Sequence, residues 1–288
     1  MKIIVLFVLV CLLMGIYLIE SGNLVVSNKT DISDRTFRTG HFGHQNATVN
    51  FTVTTTLDST SSDLRIASWN LQIYGDSKAS NDQLVEFYAS KIRQYDVFFV
   101  QEIRDADGSA IQVLANKLPD YDLIVSERLG TTSSKEQYGV FYRKNMFNRV
   151  IKLSEAETTL TNLFERPPME TIFQKDNLTL FFWTEHTKPE AAQNEIKQLY
   201  NVSSRLRTVI TGDLNADCSY SSNVDAIFSG FQSAIKDNID TTVSPNTDCA
   251  YDRIYVSNDL KLISSGVDSV GINTSVSDHY IVWVEVQP

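Results

Sequence analysis

Hydrophobic and polar positions fall into three regimes along the chain. Ile3 to Ile19 is an apolar run broken only by Gly15. Asn23 to about Asp63 is rich in Ser, Thr and Asn and has no long apolar periodicity, which predicts a flexible leader; only Thr48 to Val53 alternates like a lone strand. From Leu64 onward, short apolar runs alternate with amphipathic stretches and no internal repeat is visible, the pattern of an α/β domain over 64–288. Strands are predicted at Leu64–Ile73, Asp96–Val100, Tyr121–Val125, Tyr138–Tyr142, Phe147–Leu153, Thr171–Gln174, Leu178–Thr184, Thr208–Thr211, Tyr251–Val256 and Tyr280–Val286. Helices are predicted from a capping box at Ser80 and Gln83 to about Arg93, at Ser109–Leu118 and at Pro189–Leu199. Many strands with few helices predict two packed sheets with helices outside them.

The first regime bears on compartment. A basic start at Lys2, the apolar run, and small residues at Ser21-Gly22 read as a secretory signal over 1–22. The alternative is an uncleaved anchor, because the run reaches the lower length limit of a spanning helix. Cys11 would leave with the signal, and Cys218 and Cys249 then form an even pair in an oxidising compartment, where a disulfide is the natural reading. Six N-x-Ser/Thr sequons, at Asn28, Asn46, Asn50, Asn177, Asn201 and Asn273, predict a glycosylated, exported surface.

Composition narrows function. With 42% hydrophobic and 21% charged residues the chain is globular rather than fibrous or wholly disordered. Its 25 basic against 35 acidic residues give a formal charge of -10. Broad electrostatic attraction to a polyanion is therefore excluded, and any hold on nucleic acid falls to a metal and a few local cations.

The chemistry gathers where strands end. Ser68-Trp69-Asn70, Val100-Gln101-Glu102, Thr184-Glu185-His186, Gly212-Asp213-Leu214-Asn215 and Ser277-Asp278-His279 each set a polar or ionisable group against an apolar run. Five such termini in one domain predict a single polar site. Oxygen donors from Asn70, Glu102, Asp213, Asn215 and Asp278 suit a hard ion such as Mg2+, whereas thiols and imidazoles are too few for zinc. Of the four histidines, His41 and His44 lie in the leader as an HxxH pair of incidental character. His186 and His279 fall in the polar strand ends, where one metal and two carboxylate-held imidazoles meet the needs of phosphodiester hydrolysis.

Several segments together resemble the secreted deoxyribonuclease I family. They are Ser68-Trp69-Asn70-Leu71-Gln72, Val100-Gln101-Glu102-Ile103-Arg104-Asp105, Val125-Ser126-Glu127-Arg128-Leu129-Gly130, Ser134-Lys135-Glu136-Gln137-Tyr138, Gly212-Asp213-Leu214-Asn215-Ala216-Asp217-Cys218, Cys249-Ala250-Tyr251-Asp252-Arg253 and Ser277-Asp278-His279-Tyr280. They run in order over about Leu64 to Val286. The resemblance implies the fold of the endonuclease/exonuclease/phosphatase superfamily, a four-layer α/β sandwich of two packed mixed β-sheets flanked by helices, and it carries the Cys218 to Cys249 disulfide. It implies Glu102 as a ligand of catalytic Mg2+, with Asn70, Asp213, Asn215 and Asp278 around the metal and scissile phosphate. It pairs His186 with Glu136 and His279 with Asp252 as proton-transfer couples, His279 taken as base and His186 as acid. Arg104 is expected at the minor groove, and Arg166 matches the family's phosphate-contacting arginine. A structural Ca2+ at Asp240-Thr241-Thr242, actin as a partner and a monomeric state are implied as well.

The departures from the family are specific. Ser134 stands where the family has an aromatic that packs against a deoxyribose, which weakens the expected hold on duplex. The family's second small disulfide has no cysteines here, and Leu153 to Glu165 is short. The expected function is that of a secreted, metal-dependent endonuclease that cuts DNA to 5'-phosphorylated fragments with little sequence specificity and has no stable membrane association after signal cleavage. The alternatives are another superfamily phosphodiesterase, sphingomyelinase-like, and a catalytically weak DNA- or protein-binding member.

Overall fold

A computed structural model describes residues 63–131, 135–153, 160–203 and 206–288, together with the backbone of 16–18 and 24–26. The signal over 1–22 and the leader over 23–63 fall almost wholly outside these residues, as do Thr48 to Val53, Ser134, and the sequons at Asn28, Asn46 and Asn50. The chain divides into a unit over Met1–Leu57 and one over Asp58–Pro288. In the first, β1 (Ile16–Leu18) and β2 (Leu24–Val26) pair antiparallel. Everything that follows concerns the second.

That unit holds two six-stranded mixed sheets. One, in the order β13-β14-β3-β4-β6-β5, is built from β3 (Leu64–Tyr74), β4 (Val97–Ile103), β5 (Tyr121–Val125), β6 (Gln137–Arg143), β13 (Lys261–Asp268) and β14 (Ile281–Gln287). The other, in the order β11-β12-β10-β9-β8-β7, is built from β7 (Arg149–Leu153), β8 (Met169–Lys175), β9 (Leu178–His186), β10 (Thr208–Asp213), β11 (Phe231–Ser233) and β12 (Asp252–Ser257). The helices are α1 (Asp76–Ala79), α2 (Asp82–Ile92), α3 (Ser109–Asn116), α4 (Ala192–Ser203) and α5 (Val224–Ile227). None among the described residues is long and apolar enough to cross a membrane.

The period-two alternation of the strands sorts their side chains into three apolar layers. Ile66, Phe99, Val140 and Val284 face Phe182, Val209 and Ile254 between the sheets. Ala67, Trp69, Val100 and Phe141 pack outward against Val85, Tyr88 and Ile92 of α2 and Ala110, Ile111 and Leu114 of α3. Trp183, Ile210 and Tyr255 pack outward against Ala192, Ile196 and Leu199 of α4 and Val224 of α5. The result is the helix, sheet, sheet, helix sandwich that the resemblance implied.

The predicted elements are all present, with three local differences. The N-cap of α2 is Asn81, whose side chain accepts from the Leu84 N–H, and not Ser80, which closes the extra turn α1. Pro189–Ala191 forms a 3-10 turn, and the α-helix runs on to Ser203. Strands β11 and β13 and helix α5 were not expected.

Candidate active site

The space between the sheets changes character in tiers. Above the apolar layer, Gln101 Nε2 donates to Ser68 Oγ and Thr184 Oγ1, both at 3.0 Å, which ties one sheet to the other through buried side chains. One tier further along, β3 carries Asn70, β9 ends in His186 and β10 ends in Asp213, while Asp252 opens the antiparallel β12. The alternation that put Ile66 and Ser68 between the sheets puts Asn70 there as well. Gly212 permits this convergence: its φ of +140° brings the backbone so close to β9 that a Cβ would lie 1.9 Å from the Glu185 carbonyl oxygen.

Two imidazole couples face each other across Asp213. His186 Nδ1 lies 2.7 Å from Glu136 Oε1, and His279 Nδ1 lies 2.7 Å from Asp252 Oδ2. Each Nδ1–H donates to its carboxylate, which turns each Nε2 toward the centre. There Asp213 Oδ2 is 3.4 Å from His186 Nε2, 3.5 Å from His279 Nε2 and 3.0 Å from Asn70 Nδ2. Burial alone would lower the proton affinity of His279, but Asp252 and Asp213 outweigh it and raise it well above the ordinary imidazole value; the same balance, with Glu136 and Asp213, raises His186. Asp213 resists the upward push of burial because His279, His186 and the Asn70 amide all stabilise its charge, and its carboxyl is held low.

Glu136 is fully buried and serves three cations. Besides His186, its oxygens lie 3.4 Å from Arg166 Nε and 3.2 Å from Arg104 Nη1. Burial would raise it, but His186, Arg166 and Arg104 hold it down. Arg166 is fixed further by donating to the carbonyls of His186 (2.8 Å) and Thr187 (2.9 Å). Arg104 keeps part of its side chain in solvent.

The oxygen donors lie around this centre. Glu102 accepts from Asn70 Nδ2 at 3.1 Å and from the Ile73 N–H at 2.8 Å. Asn70 itself turns its nitrogen, not its oxygen, to Glu102 and Asp213, because its Oδ1 accepts from the Gln72 N–H at 2.8 Å. Asn215 donates through Nδ2 to the Thr187 carbonyl at 3.0 Å, and Asp278, half exposed, stands 3.9 Å from His279 Nε2. Asp213, Asp252 and His279 each offer a ligand atom within 4.8 Å of the others, and Asp252 Oδ1 is buried without a protein partner. Hard carboxylate oxygens, with one left uncommitted, fit a hard divalent cation.

Several supporting residues carried no signal of their own in the sequence. Ser277 Oγ donates to the Asn70 carbonyl and accepts from the His279 N–H, Trp69 Nε1 donates to the His279 carbonyl, and Thr241 Oγ1 accepts from the Asp252 N–H. Ser277 and Trp69 fall inside quoted motifs, but nothing there marked them as positioning groups. The Cys218–Cys249 disulfide forms, with a Cα–Cα distance of 5.9 Å, and joins the loop that follows Asn215 to the loop that precedes Asp252. Asp240 Oδ1 is engaged inside its own loop by the Thr242 N–H and Oγ1. Asn177, Asn201 and Asn273 are exposed.

Two sheets closing on paired imidazoles and clustered carboxylates define a phosphodiesterase-like class, and the chain belongs to the Endonuclease/Exonuclease/phosphatase family, whose description matches residues 67–279. Within it the chain is deoxyribonuclease I-like. It is 34% identical to Deoxyribonuclease-1 of Homo sapiens over 258 residues, covering 77% of this chain and 91% of that protein. It is 32% identical to Deoxyribonuclease-1 of Bos taurus over 259 residues, covering 77% and 91%. Among solved structures, an endonuclease/exonuclease/phosphatase family protein from Bacteroides thetaiotaomicron superposes with a TM-score of 0.58 at 19% identity, over 78% of this chain and 94% of that one. A mannosyl-6-phosphatase from the same organism gives 0.56 at 18% identity, over 77% and 99%. These two share the fold.

Proposed function

We propose that this chain is a secreted, divalent-metal-dependent endonuclease that hydrolyses DNA to 5'-phosphorylated fragments with little sequence specificity. The observation that carries the reading is the pair of buried imidazoles, each held through Nδ1 by its own carboxylate and each presenting Nε2 to the same Asp213 oxygen. Hydrolysis of a phosphodiester takes a proton from the attacking water and gives one to the departing oxygen. Two imidazoles on opposite sides of one point meet that requirement, His279 acting as base and His186 as acid.

Glu102, with Asp213, Asn215 and Asp278, would hold the cation, Mg2+ in this reading, which when bound neutralises phosphoryl charge. Asn70 keeps Glu102 and Asp213 together through its amide nitrogen. Glu136 orients His186 and aligns Arg166, whose position between Glu136 and the His186 carbonyl suits a fixed contact to phosphate, while the more exposed Arg104 reaches toward the groove. Nothing in this set reads base identity, in keeping with low specificity. Secretion is supported by the apolar run after Lys2, the sequons and the disulfide, and 64–288 would be the catalytic domain behind a signal at 1–22 and a leader at 23–63.

Plasmid nicking by the purified mature protein in Mg2+ and Ca2+, with an EDTA control and a His186→Ala, His279→Ala double variant, tests the reading. Metal-dependent nicking lost in the folded double variant is expected; nicking at wild-type rate by that variant would overturn it.

A further inference from the structure

Strand β3 departs from regularity at its end. Ala67, Trp69 and Leu71 alternate into the helix-side core, and by the same parity Ile73 belongs there with them. It is instead 61% exposed. Gln72 and Ile73 both adopt left-handed backbone, with φ of 49° and 54°, and the pairing of β3 with β4 shifts register between Asn70 and Tyr74. A β-branched residue in this conformation is strained, and an isoleucine left in water forgoes the stabilisation of burial.

Both ends of the bulge are anchored. Leu71 is buried and its carbonyl accepts from Lys78 Nζ at 2.7 Å, while the buried Tyr74 accepts from the Arg104 N–H at 2.8 Å. At the apex the Ile73 N–H donates to Glu102 Oε2. That bond explains the backbone path but not the side chain, since any residue supplies an N–H. The isoleucine side chain thus stands in solvent on a residue whose own N–H is bonded to Glu102, the group assigned to the cation.

We propose that Ile73 is a substrate-contact residue: its aliphatic side chain packs against the deoxyribose of a nucleotide next to the phosphate held at Glu102. The inference rests on the nuclease reading and adds a contact to it. An apolar wedge at the strand-end site supplies sequence-independent grip to a chain of net negative charge whose sequence has Ser134 where the resemblance implies an aromatic.

The test is binding of a short labelled duplex in Mg2+ by fluorescence anisotropy, in a His279→Ala background that does not turn over, comparing Ile73 with Ile73→Val, Ile73→Ala and Ile73→Gly. Loss of a half-buried aliphatic contact of about 1.4 kcal/mol gives about a tenfold rise in Kd for Ala and Gly, with Val near the parent. Glycine also relieves the strained backbone, so its thermal midpoint should not fall, which separates lost contact from lost folding. Equal Kd for parent, Ala and Gly overturns the inference. Nicking by the chain with both histidines intact is scored separately: nicking with no Ile73 dependence of binding removes this inference alone, Ile73-dependent binding without nicking keeps it and removes the nuclease reading, and neither binding nor nicking removes both.

Discussion

Glu136 is one buried carboxylate with three cationic neighbours, and the contrast with Glu185 is instructive. Glu185 sits directly before His186, yet it faces the opposite side of β9, toward α4, where it is fully buried and neither carboxyl oxygen has a protein partner. Burial pushes its carboxyl well above the ordinary range, nearby Glu195 adds to the push, and Arg166 opposes it. A folded-state pKa raised above the unfolded one means that Glu185 contributes its full stability below the unfolded value near 4.5 and loses it as pH rises through the folded one. Glu185→Gln, which cannot ionise, should therefore raise the thermal midpoint at pH 7–8, where the parent must hold a buried carboxyl protonated, at about 2–4 °C per kcal/mol gained, and leave it unchanged near pH 4. Midpoints that track the parent at every pH would refute this. The sequence showed Glu185 and His186 as neighbours at one polar strand end; only the direction of each side chain, fixed by strand parity, separates a site residue from a core one.

At the scale of elements, strand ends were legible because a polar or ionisable group sits against an apolar run at Asn70, Glu102, His186, Asp213 and Asp278. Tyr121–Val125 came out with the predicted limits because it is a regular hairpin partner of β6. Strand β13 was missed because its Ser264-Ser265-Gly266 looks like a turn; it is an edge strand with a bulge, where packing asks little of the sequence. The bulge at Gln72 and Ile73 was invisible for a different reason, since neither residue favours left-handed backbone and only tertiary anchoring imposes it. The disulfide belongs to this scale too, because it ties the β10 exit to the β12 entry and so braces Asn215 against Asp252. With 31 residues of sequence separation, its removal in Cys218→Ser, Cys249→Ser should cost about 3–4 kcal/mol, read by chemical denaturation with and without reductant. A double variant as stable as the oxidised parent would show that the packing of the sheets holds these loops without it.

The whole molecule carries a formal charge of -10, and its two candidate phosphate-side arginines both lie against Glu136. Few counterions are therefore released on binding DNA, and with about two phosphates neutralised the slope of log K against log salt should be about -2. Titration of duplex affinity from low to physiological salt checks this, and a slope several times steeper would show that more cations than Arg104 and Arg166 meet the phosphates. The Gln101 bridge to Ser68 and Thr184 has a further consequence at this scale. Asn70, Glu102, Glu136 and His279 come from one sheet, and His186, Asp213 and Asp252 come from the other. Each imidazole couple has one half on each side of that seam. A refolding chain with all its strands built but its sheets still apart would hold half of each couple, so the return of DNA cleavage after dilution from denaturant would time the moment the two sheets close.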